Sequence, residues 1–110
     1  MTWPARVARQ IEERSGGICE GCGNAPATEK HHRKFKSRGG KDTVDNGLDL
    51  CGWGNHTGCH GEAHSGAAAV VEGWSVNSWD DPRHRPVLYR GRFVFLLPDG
   101  GIEDMGEVNW

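Results

Sequence analysis

No stretch of this sequence is long and apolar enough to cross a bilayer, and the opening MTWPARVARQIEER lacks the apolar core of a secretory signal. The expectation is a soluble, cytoplasmic protein with no membrane partner. Apolar residues are scarce overall, at 35% of 110 residues, while glycine takes 17 positions. A chain of this length has room for one compact domain, residues 1–110, with a thin core. Small domains of that kind lean on disulfides or metals for what burial does not supply. In a reducing compartment the four cysteines read as metal ligands rather than as a disulfide framework.

Net charge is also close to nothing, at −2, but it is unevenly spread. No acid interrupts residues 30–41, which hold Lys30, Arg33, Lys34, Lys36, Arg38 and Lys41. No base interrupts residues 99–107, which hold Asp99, Glu103, Asp104 and Glu107. A basic run suits contact with phosphates, whereas an acidic end repels DNA.

Repeats and low-complexity tracts are absent. Pro4 in the first turn, with Val7 and Ile11 four apart, predicts an amphipathic helix over residues 4–14, ended by Gly16 and Gly17. Residues 18–27 form a Gly- and Pro-rich knuckle, 28–33 a short strand, 34–46 a surface loop, and Leu48 and Leu50 a second strand reaching Cys51. Residues 59–69 predict a helix of two to three turns with Gly66 inside it. Beyond Val70 the period becomes two. Strands over 86–89, 92–97 and 101–104 form a meander with turns at Arg90-Gly91 and Asp99-Gly100, and Val87, Tyr89, Phe93 and Phe95 are its candidate packing residues. Trp53 and Trp74 suit core filling better than stacking on bases.

Cys19-x2-Cys22 and Cys51-x7-Cys59 supply the ligand count of a closed tetrahedral zinc site, with His56 as a possible substitute for one thiolate. Zinc there is structural, because four protein ligands leave no open position. Five of the six histidines fall within residues 31–64. His60 and His64, one helical turn apart, face the same way and can reach a common ion. His31 and His32 are strand neighbours, so their rings point to opposite sides and can serve different partners. His84 belongs to no cluster and reads as a surface residue.

The order Cys-x2-Cys, His-His-Arg, a basic loop with Arg-Gly-Gly-Lys-Asp, Asn46-x4-Cys51 and Cys59-His60-x3-His64 resembles the HNH endonuclease family, in particular members with an added zinc-binding ribbon. The resemblance covers residues 14–65, leaving 70–110 as a β-rich extension. It implies an α+β chain built on a ββα-metal (His-Me finger) core, with a structural zinc knuckle, an N-terminal helix and the C-terminal meander. It implies His31, His60 and His64 as ligands of one catalytic divalent metal (Mg2+, Mn2+, Ni2+ or Zn2+), His32 as general base, and Asn46 as the residue that constrains the loop and helps orient that base. The all-histidine set is similar to that of the colicin-type nucleases.

A neutral imidazole near pH 7 can take a proton from water, and a cation can stabilise charge on phosphoryl oxygens. His32's other nitrogen then needs an acceptor, for which a backbone carbonyl or the Asn46 side chain is the natural candidate. The implied activity is hydrolysis of DNA phosphodiesters, nicking with low sequence specificity and leaving 5′-phosphate and 3′-hydroxyl. Lys34, Lys36, Arg38 and Lys41, with Arg14 and Arg33 as secondary candidates, are the expected DNA contacts. Stand-alone members of this kind occur in phage, where a terminase is a possible partner and the bacterial host cell the compartment, and in restriction and homing. The competing expectation is a non-catalytic zinc module that binds DNA or a protein.

Overall fold

The computed structural model describes residues 3–53 and 57–105. In chain order the elements are α1 (Ala5–Ser15), β1 (Glu29–His32), β2 (Gly47–Leu50), α2 (Gly58–Glu62), α3 (Ala67–Val71), β3 (Val87–Tyr89), β4 (Arg92–Leu96) and β5 (Ile102–Asp104). The class is α+β, with two antiparallel sheets, β1-β2 and β3-β4-β5.

Pro4 precedes α1, and Gly16 closes it in the left-handed conformation (φ 64°), donating its N–H to the Glu12 carbonyl. The helix buries Ile11 against β2. Gly47 makes this possible, because a β-carbon there would lie 2.3 Å from Ile11 Cδ1 and 3.1 Å from the Trp3 ring. In β1-β2, His31 faces Leu48 and His32 faces Gly47. The 34–46 loop contains single turns of 3-10 helix at Lys36–Arg38 and Val44–Asn46.

The helix expected over 59–69 is two pieces. Gly66 sits at φ 87°, ψ −137°, which a residue with a β-carbon adopts only under strain, so α2 ends before it and α3 starts after it. His64 lies beyond α2, in a turn where its N–H donates to the Gly61 carbonyl.

The meander follows the expected boundaries closely, but its inner face differs. Val87, Tyr89, Val94 and Leu96 are buried, with Val87 opposite Val94. Phe93 is 39% exposed and Phe95 half-buried, because strand alternation puts them on the other face. The inner residues join Cys19, Leu48, Leu50, Cys59, Ala63 and Trp74 in one hydrophobic cluster, so the motif segment and the extension share a core. Trp74 belongs to it, with its indole N–H donating to the Leu88 carbonyl, whereas Trp53 is 67% exposed instead of filling core. His84 is exposed, as expected of a surface residue.

Arg90 takes a left-handed conformation (φ 50°) in the β3-β4 turn, which costs on the order of 1 kcal/mol in a residue with a β-carbon. Its guanidinium offsets that cost by donating to the carbonyls of Ser15, Ile18 and Cys19 at 2.6, 2.8 and 3.2 Å. One side chain thus ties the meander to the cysteine knuckle.

Candidate functional site

Cys19, Cys22, Cys51 and Cys59 bring their sulfurs within 4.8 Å of one another, and all four thiols are free. Cys22 and Cys51 sulfurs are 3.9 Å apart. A tetrahedron with metal–sulfur bonds of about 2.3 Å has edges of about 3.8 Å. Backbone N–H groups of Gly21, Asn24 and Cys59 point at the sulfurs of Cys19, Cys22 and Cys51 at 3.3, 3.4 and 3.4 Å, favouring thiolates. Gly21 packs closely here: a β-carbon would stand 3.0 Å from the Trp74 ring and 3.1 Å from Cys59 Sγ, so either neighbour would have to give by a few tenths of an ångström.

Burial opposes ionisation of Cys19, but the backbone donors bring its thiol down to about 7. Burial, reinforced by the charge at Cys19, pushes Cys59 far up, and burial also raises Cys51. Four ionised sulfurs at this spacing need a cation among them. The cluster can hold a structural metal ion such as zinc, and the donor set fits it. His56, the alternative fourth ligand, lies outside the described residues.

His31, His60 and His64 form a second group, each offering a ring nitrogen within 4.8 Å of the others. His31 is buried, and its Nε2 lies 2.6 Å from the Trp74 carbonyl. A carbonyl can only accept, so Nε2 carries the proton and Nδ1 keeps its lone pair. His60 Nδ1 sits 2.9 Å from a Glu29 carboxylate oxygen, which leaves its Nε2 as the donor to an ion, 3.4 Å from His64 Nε2. Metal–nitrogen bonds of about 2.1 Å in a tetrahedron give that same edge, about 3.4 Å. Burial depresses His31 to about 3 and lowers His64, with charge at His60 and Arg38 adding to the latter, so these rings are neutral and ready to ligate. Three ligands fill fewer positions than a divalent ion offers. The side chains of Lys30, His32, Phe35 and Lys36 line an open cleft with these histidines.

His32 borders the cleft from the other face of β1, and its partner is not the one expected. Its Nε2 lies 2.7 Å from Asp42 Oδ1, and the Trp3 indole stacks on it at 3.9 Å between centroids and 13° between planes. Asp42 is also held by Lys36 Nζ at 3.1 Å, and the two contacts keep its carboxyl below the usual carboxylate range. Asn46 instead staples the loop. Its Oδ1 accepts from the Lys34 N–H at 2.7 Å, and its Nδ2 donates to the Lys34 and Lys41 carbonyls at 3.1 and 2.9 Å, which commits both amide protons to the loop backbone.

The basic residues divide. Arg33 is fully buried and donates to the carbonyls of Gly73, Asp45, Pro82 and Arg85. Arg14 is 2% exposed at its side chain and forms a two-point pair with Glu20 at 2.6 and 2.9 Å. Neither faces a surface where DNA can lie, so both are fold residues rather than phosphate contacts. Lys34 donates to the Asp80 carbonyl and Arg38 lies over the Phe35 ring and donates to Ser75 Oγ, while Lys36 and Lys41 are exposed.

Glu29, Asp42, Trp3 and the Trp74 carbonyl were not among the expected site groups. Glu29 was findable, two residues before His31 on the same strand face. The other three act through tertiary contacts with no local signature. No family model, curated protein or solved structure matches this chain.

Proposed function

We propose that this chain is a metal-dependent DNA endonuclease of the HNH kind, in which β1, β2 and α2 with its following turn act as a ββα-metal core. One observation carries the reading: three oriented histidines converge on one point beside an open cleft, next to a fourth histidine paired to a carboxylate. A purely structural ion needs no such neighbour. The order of motifs in the sequence supports the same reading.

His31, His60 and His64 would hold a divalent cation, and the four cysteines a structural zinc. When bound, the cation supplies Lewis-acid charge to a phosphoryl oxygen and to the departing 3′-oxygen. His32 takes a proton from water as the water oxygen bonds to phosphorus and the bond to the 3′-oxygen breaks; that oxygen is then protonated from solvent. The products are 5′-phosphate and 3′-hydroxyl. Lys36 is an exposed cation lining the cleft, placed to meet a phosphate there, and Lys41 is exposed further along the same loop; such contacts position DNA without reading its bases. A role in phage packaging beside a terminase, or in restriction, in the cytoplasm of a bacterial host, belongs to the same proposal.

The test is nicking of supercoiled plasmid in Mg2+, Mn2+, Ni2+ or Zn2+, with wild type and His32→Ala compared. Wild type should relax the plasmid with at least one metal, and His32→Ala should not, at equal metal content. Plasmid left intact by wild type in every metal, together with a single bound ion per chain, would point to a non-catalytic zinc module.

A further inference from the structure

We infer that Asp42 is a positioning residue for His32: it fixes the imidazole with the proton on Nε2, so that Nδ1 is the atom that accepts the proton from the attacking water. The inference rests on the nuclease reading and says which atom does the work and what holds it.

An ionised carboxylate has no proton to give, so at 2.7 Å from Asp42 Oδ1 the His32 Nε2 must donate. The same oxygen lies 3.1 Å from Lys36 Nζ, which helps to anchor the carboxylate. The stacked Trp3 indole restricts rotation of the ring, and a half-turn of the imidazole would replace the Nε2 contact with a carbon. Trp3 can lie there because residue 47 has no side chain, its α-carbon facing His32 across the strand pair. Asn46, one residue before that glycine, is spent on the Lys34 and Lys41 backbone and supplies nothing to the ring. His32 is therefore held by a carboxylate on one edge and an aromatic face.

The proton balance follows. As the water oxygen bonds to phosphorus, a water proton passes to Nδ1 and the Nε2 proton stays in place. The ring becomes an imidazolium, and the positive charge faces Asp42 directly. Replacing a carboxylate that orients a catalytic imidazole by its amide isostere lowers kcat by about four orders of magnitude in the best-studied hydrolase of that type. His32 is more open to solvent, so a smaller loss, on the order of a hundredfold or more, is expected here.

Two measurements test this. In zinc-loaded protein with 15N-labelled histidine, His32 should show a bare Nδ1 and an Nε2 proton protected from exchange, and Asp42→Ala should lose that protection. In the nicking assay, Asp42→Asn should lower kcat on the order of a hundredfold with KM for DNA changed by less than about threefold, at unchanged metal content. A proton on Nδ1, both nitrogens protonated, or Asp42→Asn nicking within about threefold of wild type would overturn the inference. If wild type cuts nothing, the nuclease reading fails, and the labelled imidazole still decides whether Asp42 holds the ring.

Discussion

Arg33 donates from Nε to the Gly73 carbonyl at 2.8 Å, linking the end of β1 to the segment that follows α3. Its remaining N–H groups reach the carbonyls of Asp45, Pro82 and Arg85. Burial lowers the guanidinium only to about 9, so it remains charged at neutral pH. Arg33→Met would leave these acceptors without a donor, at about 1–3 kcal/mol for each that stays dry. A loss above about 3 kcal/mol is expected, lowering Tm by more than about 10 °C. Calorimetry of the variant checks it, and a shift within about 2 °C would show that water replaces the guanidinium. Arg33→Lys should recover little, because an ammonium has no planar fork.

If both clusters hold metal as proposed, the two ions should leave in order. A mild chelator should strip the histidine site and stop nicking while the far-ultraviolet circular dichroism stays unchanged. Stronger chelation should empty the cysteine site and unfold the chain, because a structural ion supplies folding free energy. Cys19→Ser should give the second result without a chelator. Persistence of fold after both ions are gone would mean that the apolar cluster suffices.

Glu29 holds His60 by its Nδ1 at 2.9 Å, leaving Nε2 for the proposed ion. Removing such an outer partner typically weakens metal binding by about 10–100-fold. Glu29→Gln should therefore weaken binding at the histidine site by that factor, with the cysteine-site ion unaffected. Competition titration against a coloured chelator reads both, and equal weakening at the two sites would indicate general unfolding instead.

Acid should destabilise the fold through His31. Its folded value is about 3 against an ordinary 6.5, so between those limits the unfolded chain binds a proton that the folded chain refuses. The stabilisation is complete above pH 6.5 and is lost as pH falls from there towards 3. Relative to His31→Gln, wild type should lose up to about 1.4 kcal/mol per pH unit across that window. Urea melts at several pH values, with the histidine site free of metal, give the comparison. Parallel slopes for the two proteins would mean that the folded ring takes up a proton as readily as the free one.

Much of this arrangement was legible in the residues. Period and punctuation mark α1, the β1-β2 pair and the meander, since Gly16, Gly91 and Gly100 stand where the backbone turns left-handed. The cysteine pairs and the His60–His64 pair could be anticipated from their spacing, whereas His31 joined them only through the family resemblance; Cys19, Cys22, Cys51 and His64 stand outside the helices and strands, so tertiary packing brings them together. The break at Gly66 was harder, because helix formers surround it and only the backbone conformation reveals the stop. The burial of Arg14 and Arg33 was invisible for a different reason. Charge alone places an arginine outside, whereas here Glu20 and a ring of carbonyls, several of them distant in sequence, draw these two inside. The same distance hides Asp42 from any local reading of His32.

The His31 bond to the Trp74 carbonyl reaches across 43 residues of chain. A graft of residues 14–65 onto another scaffold would carry every clustered cysteine and histidine and leave behind the group that chooses which nitrogen of His31 stays bare. The transplantable unit is accordingly longer than the run of ligands, extending at least to the stretch after α3. Trimming the chain from its C-terminal side should disturb the histidine cluster before it removes any of its members.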